Sequence, residues 1–324
     1  MSTRQSTNEA DVGNDDLDEL SLRPAYEGPS GERYVERLAK PGLRRRLAIA
    51  DRCIIDHVGS PESCLELGGG TGRLIEQIPA RRRVSVDLSR TLGLKAPACV
   101  RTVQASNRRL PFADEAFDSV VSGYGGYRGA RLDEVYAEMA RVLRDRGTFG
   151  LHGFTRVRLG LRPLVSRRLP DDVGGFEEEQ RRMFEHGLWL ERSHVWRGTQ
   201  AGFVPVPRKL WMLGSHAVLL GHRMKRSHAH RLRDLERKLA RGRARVVVAG
   251  TSMESTIPMG EVVQVEKLTH TPPRGELVLI VTPDSLLVHR VRRVIAGRVI
   301  HVGDNLASQP ASCARWRVWA RVVA

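Results

Sequence analysis

Long apolar runs are missing from this 324-residue chain. The longest stretches, LWMLGSHAVLLG (210–221) and LVLIV (277–281), fall well short of the roughly 20 residues a membrane-spanning helix needs, so no membrane insertion is expected. The N-terminus has no basic start followed by an apolar core, the mark of a secretory signal, and a cytoplasmic protein is expected. Cysteine is scarce: Cys53, Cys64, Cys99 and Cys313 show no CxxC or Cys/His spacing. That disfavours a zinc centre and a disulfide framework, and the expected metal content is none. Lysine is nearly absent too, supplying six of the 53 basic residues. Acidic residues number only 37, so the net charge is +16. Such a charge invites a phosphate-bearing partner. The arginines are spread along almost the whole chain, however, which also describes a solvated basic surface. Nucleic acid is therefore a permitted partner and not the favoured one.

What is present suits a folded protein: 41% hydrophobic and 28% charged residues, with length for two cores. Residues 1–30 are polar and locally acidic, holding Glu9, Asp11, Asp15, Asp16, Asp18 and Glu19 close together. Little there can be buried, and a disordered tail is expected. A helix pattern runs from about 42 to 57. Strand and helix patterns then alternate through CLELG, VSVDL, VRTVQA, FDSVVSG, LDEVYAEMARVLRD and GTFGLHGF, the signature of a parallel sheet covered by helices. FEEEQRRMFEHG predicts a helix. LERSHVWRG and HAVLLGHR predict strands that complete the same sheet, so the first domain is placed at 31–224. Between His222 and Arg245 ten Lys/Arg face only Asp234 and Glu236, with Leu232, Leu235 and Leu239 on one helical face. That predicts a basic linker helix, 225–243. Short β-branched strands split by Pro, Gly and Asp then predict a small all-β domain, 244–324. No internal repeat is present.

The first chemical motif is Glu66-Leu67-Gly68-Gly69-Gly70-Thr71-Gly72, between an apolar strand and RLIEQI. Glycines serve where backbone must turn sharply against a ligand, and a helix start behind them offers free N–H groups. Asp87 ends the next strand, 19 residues after Gly68, a spacing that suits a carboxylate holding two ribose hydroxyls. With LPFADEAFDSVVS and the RVLRDRGTF turn, this stretch resembles the class I S-adenosylmethionine-dependent methyltransferases over roughly residues 42–224. The resemblance implies a Rossmann-like, doubly wound sheet and S-adenosylmethionine as cofactor. It implies that Glu66, Gly68, Gly70 and Gly72 hold the methionine part and Asp87 the ribose. The family's adenine-contacting Asp is replaced by Ser106. Tyr124, Tyr127 and His152 fall beyond the ends of the fourth and fifth strands, where a methyl acceptor is expected. The acceptor can be a small molecule, and no Asn/Asp-Pro-Pro-Tyr motif points to a base amino group.

The second motif is VVVAGTSMESTIPMGEVV (246–263), two apolar strands around Gly250-Thr251-Ser252-Met253. Ser252 by itself is a turn residue. Yet His289 lies inside the apolar LLVHRV, 37 residues later, and Asp304 lies in the HVGDN turn, 15 residues further on. Nucleophilic serine needs a base, and the base gains from a group that fixes its tautomer. The pattern GTSM…RGELVLI…VHRV…GDN resembles the signal peptidase/LexA clan over about 246–306, in its Ser/His branch. The resemblance implies that Ser252 attacks a peptide carbonyl, His289 is the general base, and Asp304 orients His289 or supports the fold. It implies the Ser252 backbone N–H as oxyanion donor. Lys267 is a weaker rival base. The family's Pro after the nucleophile is Ser255 here, the oxyanion-assisting position is Gly250, and no membrane anchor is seen.

Two readings follow. One is a bifunctional enzyme that methylates and trims one peptide or protein substrate. The other is a regulatory or binding protein whose β domain cuts only itself or is inactive, with a basic face on nucleic acid. His216, His222, His228 and His230 offer only a loose cluster.

Overall fold

Strands form where the pattern is β-branched and continuous, and their residues divide between two faces. In the computed structural model, which describes residues 23–127, 131–154, 175–198, 203–206 and 214–323, the chain splits into two units, Met1–Arg223 and Met224–Ala324.

The first unit begins with a short 3-10 turn, Arg23–Ala25, and helices α1 (Gly28–Leu38) and α2 (Pro41–Val58). Then come β1 (Ser63–Leu67), β2 (Arg82–Asp87), the short α3 (Arg90–Gly93), β3 (Arg101–Gln104) and β4 (Phe117–Ser122). They are followed by α4 (Leu132–Val142), β5 (Leu143–Phe154), α5 (Phe176–Glu185), β6 (Leu188–Gly198), β7 (Phe203–Pro205) and β8 (His216–Arg223). The eight strands make one sheet in the order β3-β2-β1-β4-β5-β8-β6-β7. β1 pairs in parallel with β2 and β4, and β4 with β5. β8 runs antiparallel to β5 and β6. Alternation along each strand feeds two cores. Leu65, Leu67, Ala217 and Leu219 join Leu132, Tyr136, Met139 and Met183 on one face. Cys64, Val218 and Leu220 join Ala50, Ile54 and Val58 on the other. Helices thus cover both faces, as an α/β sheet requires.

The second unit holds α6 (Arg226–Ala240) and seven strands: β9 (Arg243–Val247), β10 (Val262–Lys267), β11 (Leu277–Val281), β12 (Leu286–Ile295), β13 (Arg298–Val302), β14 (Ala311–Ala314) and β15 (Val318–Val323). Their order is β14-β13-β12-β11-β15-β10-β9, with antiparallel neighbours throughout.

Three expectations change. The acidic residues of the tail lie outside the described residues, but 23–30 are folded: Glu27 accepts bonds from the Arg90 N–H (3.0 Å), the Thr91 N–H (3.2 Å) and the Thr91 hydroxyl (2.6 Å). RLIEQI forms only a three-residue 3-10 turn, Ile75–Gln77; Pro79 follows at once and disfavours helical backbone before it. The basic linker is an element of the second unit. Leu235 and Leu239 of α6 are buried with Ala244, Val248, Val263 and Val265 in that unit's core, because a leucine stripe at helical spacing needs an apolar surface to cover it.

Candidate functional site

The first site grows from the β1 end. Gly68 has φ +55°, and a Cβ there would fall 1.9 Å from the Gly126 carbonyl oxygen. Only glycine lets the two loops cross at that distance. Gly70 has φ +54°, and its N–H donates to Asp87 Oδ2 at 2.8 Å, while the Ser89 N–H donates to Oδ1 at 2.8 Å. Asp87 thus ties the glycine loop to the second strand. The resulting pocket is lined by Glu66, Gly68, Gly70, Asp87, Asn107 and Tyr124 among others. Gly72 instead points elsewhere, its Cβ position 3.5 Å from Ala96, and serves the turn. Ser106 is not in the pocket wall; its hydroxyl accepts from the Arg108 N–H at 3.1 Å, and Asn107 takes the wall position beside it, donating to the Gly126 carbonyl at 2.9 Å.

Sequence reasoning also missed the pocket's cover. Arg23, Tyr26 and Tyr34 from the N-terminal segment line it, with the two tyrosine rings edge to face at 5.0 Å. Their only sequence signal was a pair of aromatics in an otherwise polar stretch. Arg73, in the pocket wall, forms a part-buried ion pair with Asp51, which is 1% exposed. Burial pushes the Glu66 carboxyl up to about 8, opposed by the nearby Arg73 guanidinium and the Ile75 N–H. An acid beside a tight glycine loop, a second acid one strand away and a wall of aromatic rings fit S-adenosylmethionine. Glu66 and the loop would hold the amino acid end and Asp87 the ribose.

At the pocket edge Tyr124 (φ +54°) brings its ring 6.0 Å from His152 and 6.3 Å from His216. His152 Nε2 and His216 Nδ1 are 3.2 Å apart. Burial holds both imidazoles neutral, His152 well below its ordinary value and His216 at about 4. Tyr127 is buried in the core and is not among the residues lining this pocket.

The first unit is an α/β domain with a pocket at the carboxyl ends of β1 and β2. Residues 65–151 match the family model described as a methyltransferase domain. Solved structures resembling the chain include a Haloferax volcanii complex of the Trm112 activator with a methyltransferase (14% identity, 62% of this chain and 97% of that one, TM-score 0.48). They include an S-adenosylmethionine-dependent methyltransferase from Thermotoga maritima (18%, 62% and 99%, TM-score 0.45). Another is the Burkholderia thailandensis 1,6-didemethyltoxoflavin-N1-methyltransferase with S-adenosylhomocysteine (16%, 63% and 86%, TM-score 0.45). Comparison with curated proteins found no match. Among the described residues no helix is long and apolar enough to cross a membrane, and no His/Cys/Asp/Glu group could hold a metal.

The second site lies wholly in the second unit. Ser252, half-buried in the turn after β9, sits with its Oγ 3.2 Å from His289 Nε2. The turn is held from behind. The Asn305 N–H donates to the Ser252 carbonyl at 2.9 Å, and a Cβ on Gly303 would lie 2.3 Å from that carbonyl oxygen. An apolar cleft opens beside Ser252, with Val246, Val248, Leu279, Leu286 and Val288 in its walls.

Asp304 does not bond His289. Its carboxylate takes Arg290 Nε at 2.9 and 3.1 Å and Nη2 at 2.5 Å, and the Thr256 hydroxyl at 2.7 Å. Those donors hold its carboxyl below the usual range, so Asp304 supports the fold of the turn. The group against His289 is instead His301: the two Nδ1 atoms are 2.9 Å apart. Lys267 stands at the end of β10 opposite Ala320 and does not line the cleft. The remaining histidines have separate duties. His222 contacts Glu191 at 2.5 Å, and His228 reaches the Thr282 carbonyl at 3.0 Å.

Proposed function

We propose that the chain is a bifunctional enzyme, with methyl transfer from S-adenosylmethionine in the first unit and serine-type peptide hydrolysis in the second. The first half is supported by the pocket that joins Glu66, the glycine loop and Asp87. Methyl transfer needs mainly that donor and acceptor be held in line, and the neutral His152–His216 pair beside Tyr124 suits an uncharged planar acceptor group. The second half rests on one observation, the 3.2 Å contact of Ser252 Oγ with His289 Nε2 beside an open apolar cleft. Ser252 Oγ attacks the peptide carbonyl as its proton passes to His289 Nε2. The Ser252 N–H receives the oxyanion. The C–N bond breaks as His289 protonates the leaving amine, and water then cleaves the ester by the reverse proton path.

The substrate class is a peptide or protein, and one precursor that is both methylated and trimmed is the simplest reason for the two sites to share a chain. Calorimetry with S-adenosylmethionine checks the first half: Asp87→Ala should weaken binding about 30-fold, for roughly 2 kcal/mol of lost hydrogen bonding. Incubation with candidate precursor peptides and mass analysis checks the second. Cleavage that persists in Ser252→Ala removes the peptidase reading, and a product derived only from the chain itself favours the self-cutting regulator.

A further inference from the structure

We infer that His301 is the positioning residue of the Ser252–His289 pair, an inference that rests on the hydrolytic reading of that pair. For Ser252 to give up its proton, His289 Nε2 must be bare. Its single proton then sits on Nδ1, aimed at His301 Nδ1 2.9 Å away. That acceptor must be bare in turn, so His301 carries its own proton on Nε2. One arrangement of two protons satisfies the whole chain of contacts, and its terminal group is an uncharged imidazole where serine hydrolases commonly use a carboxylate.

The surroundings enforce this. His289 is 9% and His301 4% exposed. Among the described residues the carboxylate acting on His289 is Asp304, already held by Arg290 and Thr256. Burial, the neighbouring His289 and then Arg317 each disfavour a second proton on His301. Across the ladder His289 faces Val278, and His301 faces Val291 and Ala311. The pair therefore works as a base only while it holds two protons in all, and one further proton silences it. Its titration belongs to the two rings together. A neutral acceptor also stabilises the imidazolium formed during attack less than a carboxylate does, which suits a slow, selective cleavage.

Two measurements on the full chain test this. Nitrogen-15 NMR of the imidazoles at pH 7.5 should find the His289 proton on Nδ1 and the His301 proton on Nε2; a His289 proton on Nε2 overturns the inference without any assay of activity. Labelling of Ser252 by a fluorophosphonate probe gives the second readout. His301→Leu should slow labelling about 100-fold or more, the lower range for a lost orienting partner. His301→Asp should recover much of that rate and move the pH midpoint upward, because a carboxylate favours the charged His289. Equal rates and midpoints in wild type and His301→Leu overturn the role of His301 alone. Absence of any Ser252 labelling in wild type overturns the hydrolytic reading, and the inference with it.

Discussion

Glu66 is a carboxyl group in a place that favours its neutral form. Its ordinary value is near 4.5, and burial raises it to about 8 despite Arg73. Between those values the folded chain holds a proton that the unfolded chain has lost, so this group costs stability progressively as pH rises from 4.5 towards 8. A cationic amino group placed against Glu66 reverses the preference and expels the proton. Cofactor binding at pH 7 should therefore release a proton, and affinity should rise up to about pH 8 and level off above it. Calorimetry in buffers of different ionisation heat reads the proton directly, and Glu66→Gln should abolish the release. Asp304 carries the opposite lesson. It belongs to Arg290 and Thr256, so Asp304→Asn should lower stability by about 1–2 kcal/mol while leaving most of the Ser252 labelling rate. A thermal melt together with the labelling assay separates these effects; a collapse of labelling at unchanged stability would return Asp304 to the catalytic group.

Elements show where local pattern was enough and where it was not. The α6 stripe of Leu232, Leu235 and Leu239 was legible as one helical face, but the surface it covers was not, because periodicity reports that a face is apolar and not against what. Leu235 is 6% exposed in the β-unit core. Leu235→Ala should cost that unit about 2–5 kcal/mol, measured as denaturant unfolding of the 224–324 signals. RLIEQI read as a helix because its apolar spacing fits one, yet Pro79 and the immediate need of β2 leave room for a single 3-10 turn. A three-residue 3-10 turn offers little of the dipole of a full helix. Here the glycine loop is tied instead by the Gly70 N–H bond to Asp87.

At the scale of the whole molecule the two sites draw on separate units, each with its own cores. Ser252→Ala should leave S-adenosylmethionine affinity unchanged, and Asp87→Ala should leave the Ser252 labelling rate unchanged; calorimetry and probe kinetics on both variants check this. A loss in either crossed measurement would show that the sites are coupled. The excess of arginine finds many local partners: Arg141 with Glu138 and Asp114, Arg144 with Asp118, and Arg290 with Asp304.

The sequence by itself determined the α/β alternation, the glycine loop with Asp87, the change to short antiparallel strands after Gly242, and the pairing of Ser252 with His289. These are carried by residue type and spacing along one chain. Tertiary structure decided which third group meets His289. In the β12–β13 ladder Arg290 faces Val302 and Val291 faces His301. Side chains alternate between faces, so His289 shares a face with His301, its diagonal neighbour, while Asp304 falls on the face of Arg290. A shift of one residue in that register exchanges the two. Spacing cannot state the register, and so only the folded sheet placed an imidazole rather than a carboxylate behind the base. The same holds for Asn107 over Ser106 and for the tyrosines of the N-terminal segment, whose positions depend on loops meeting across the sheet.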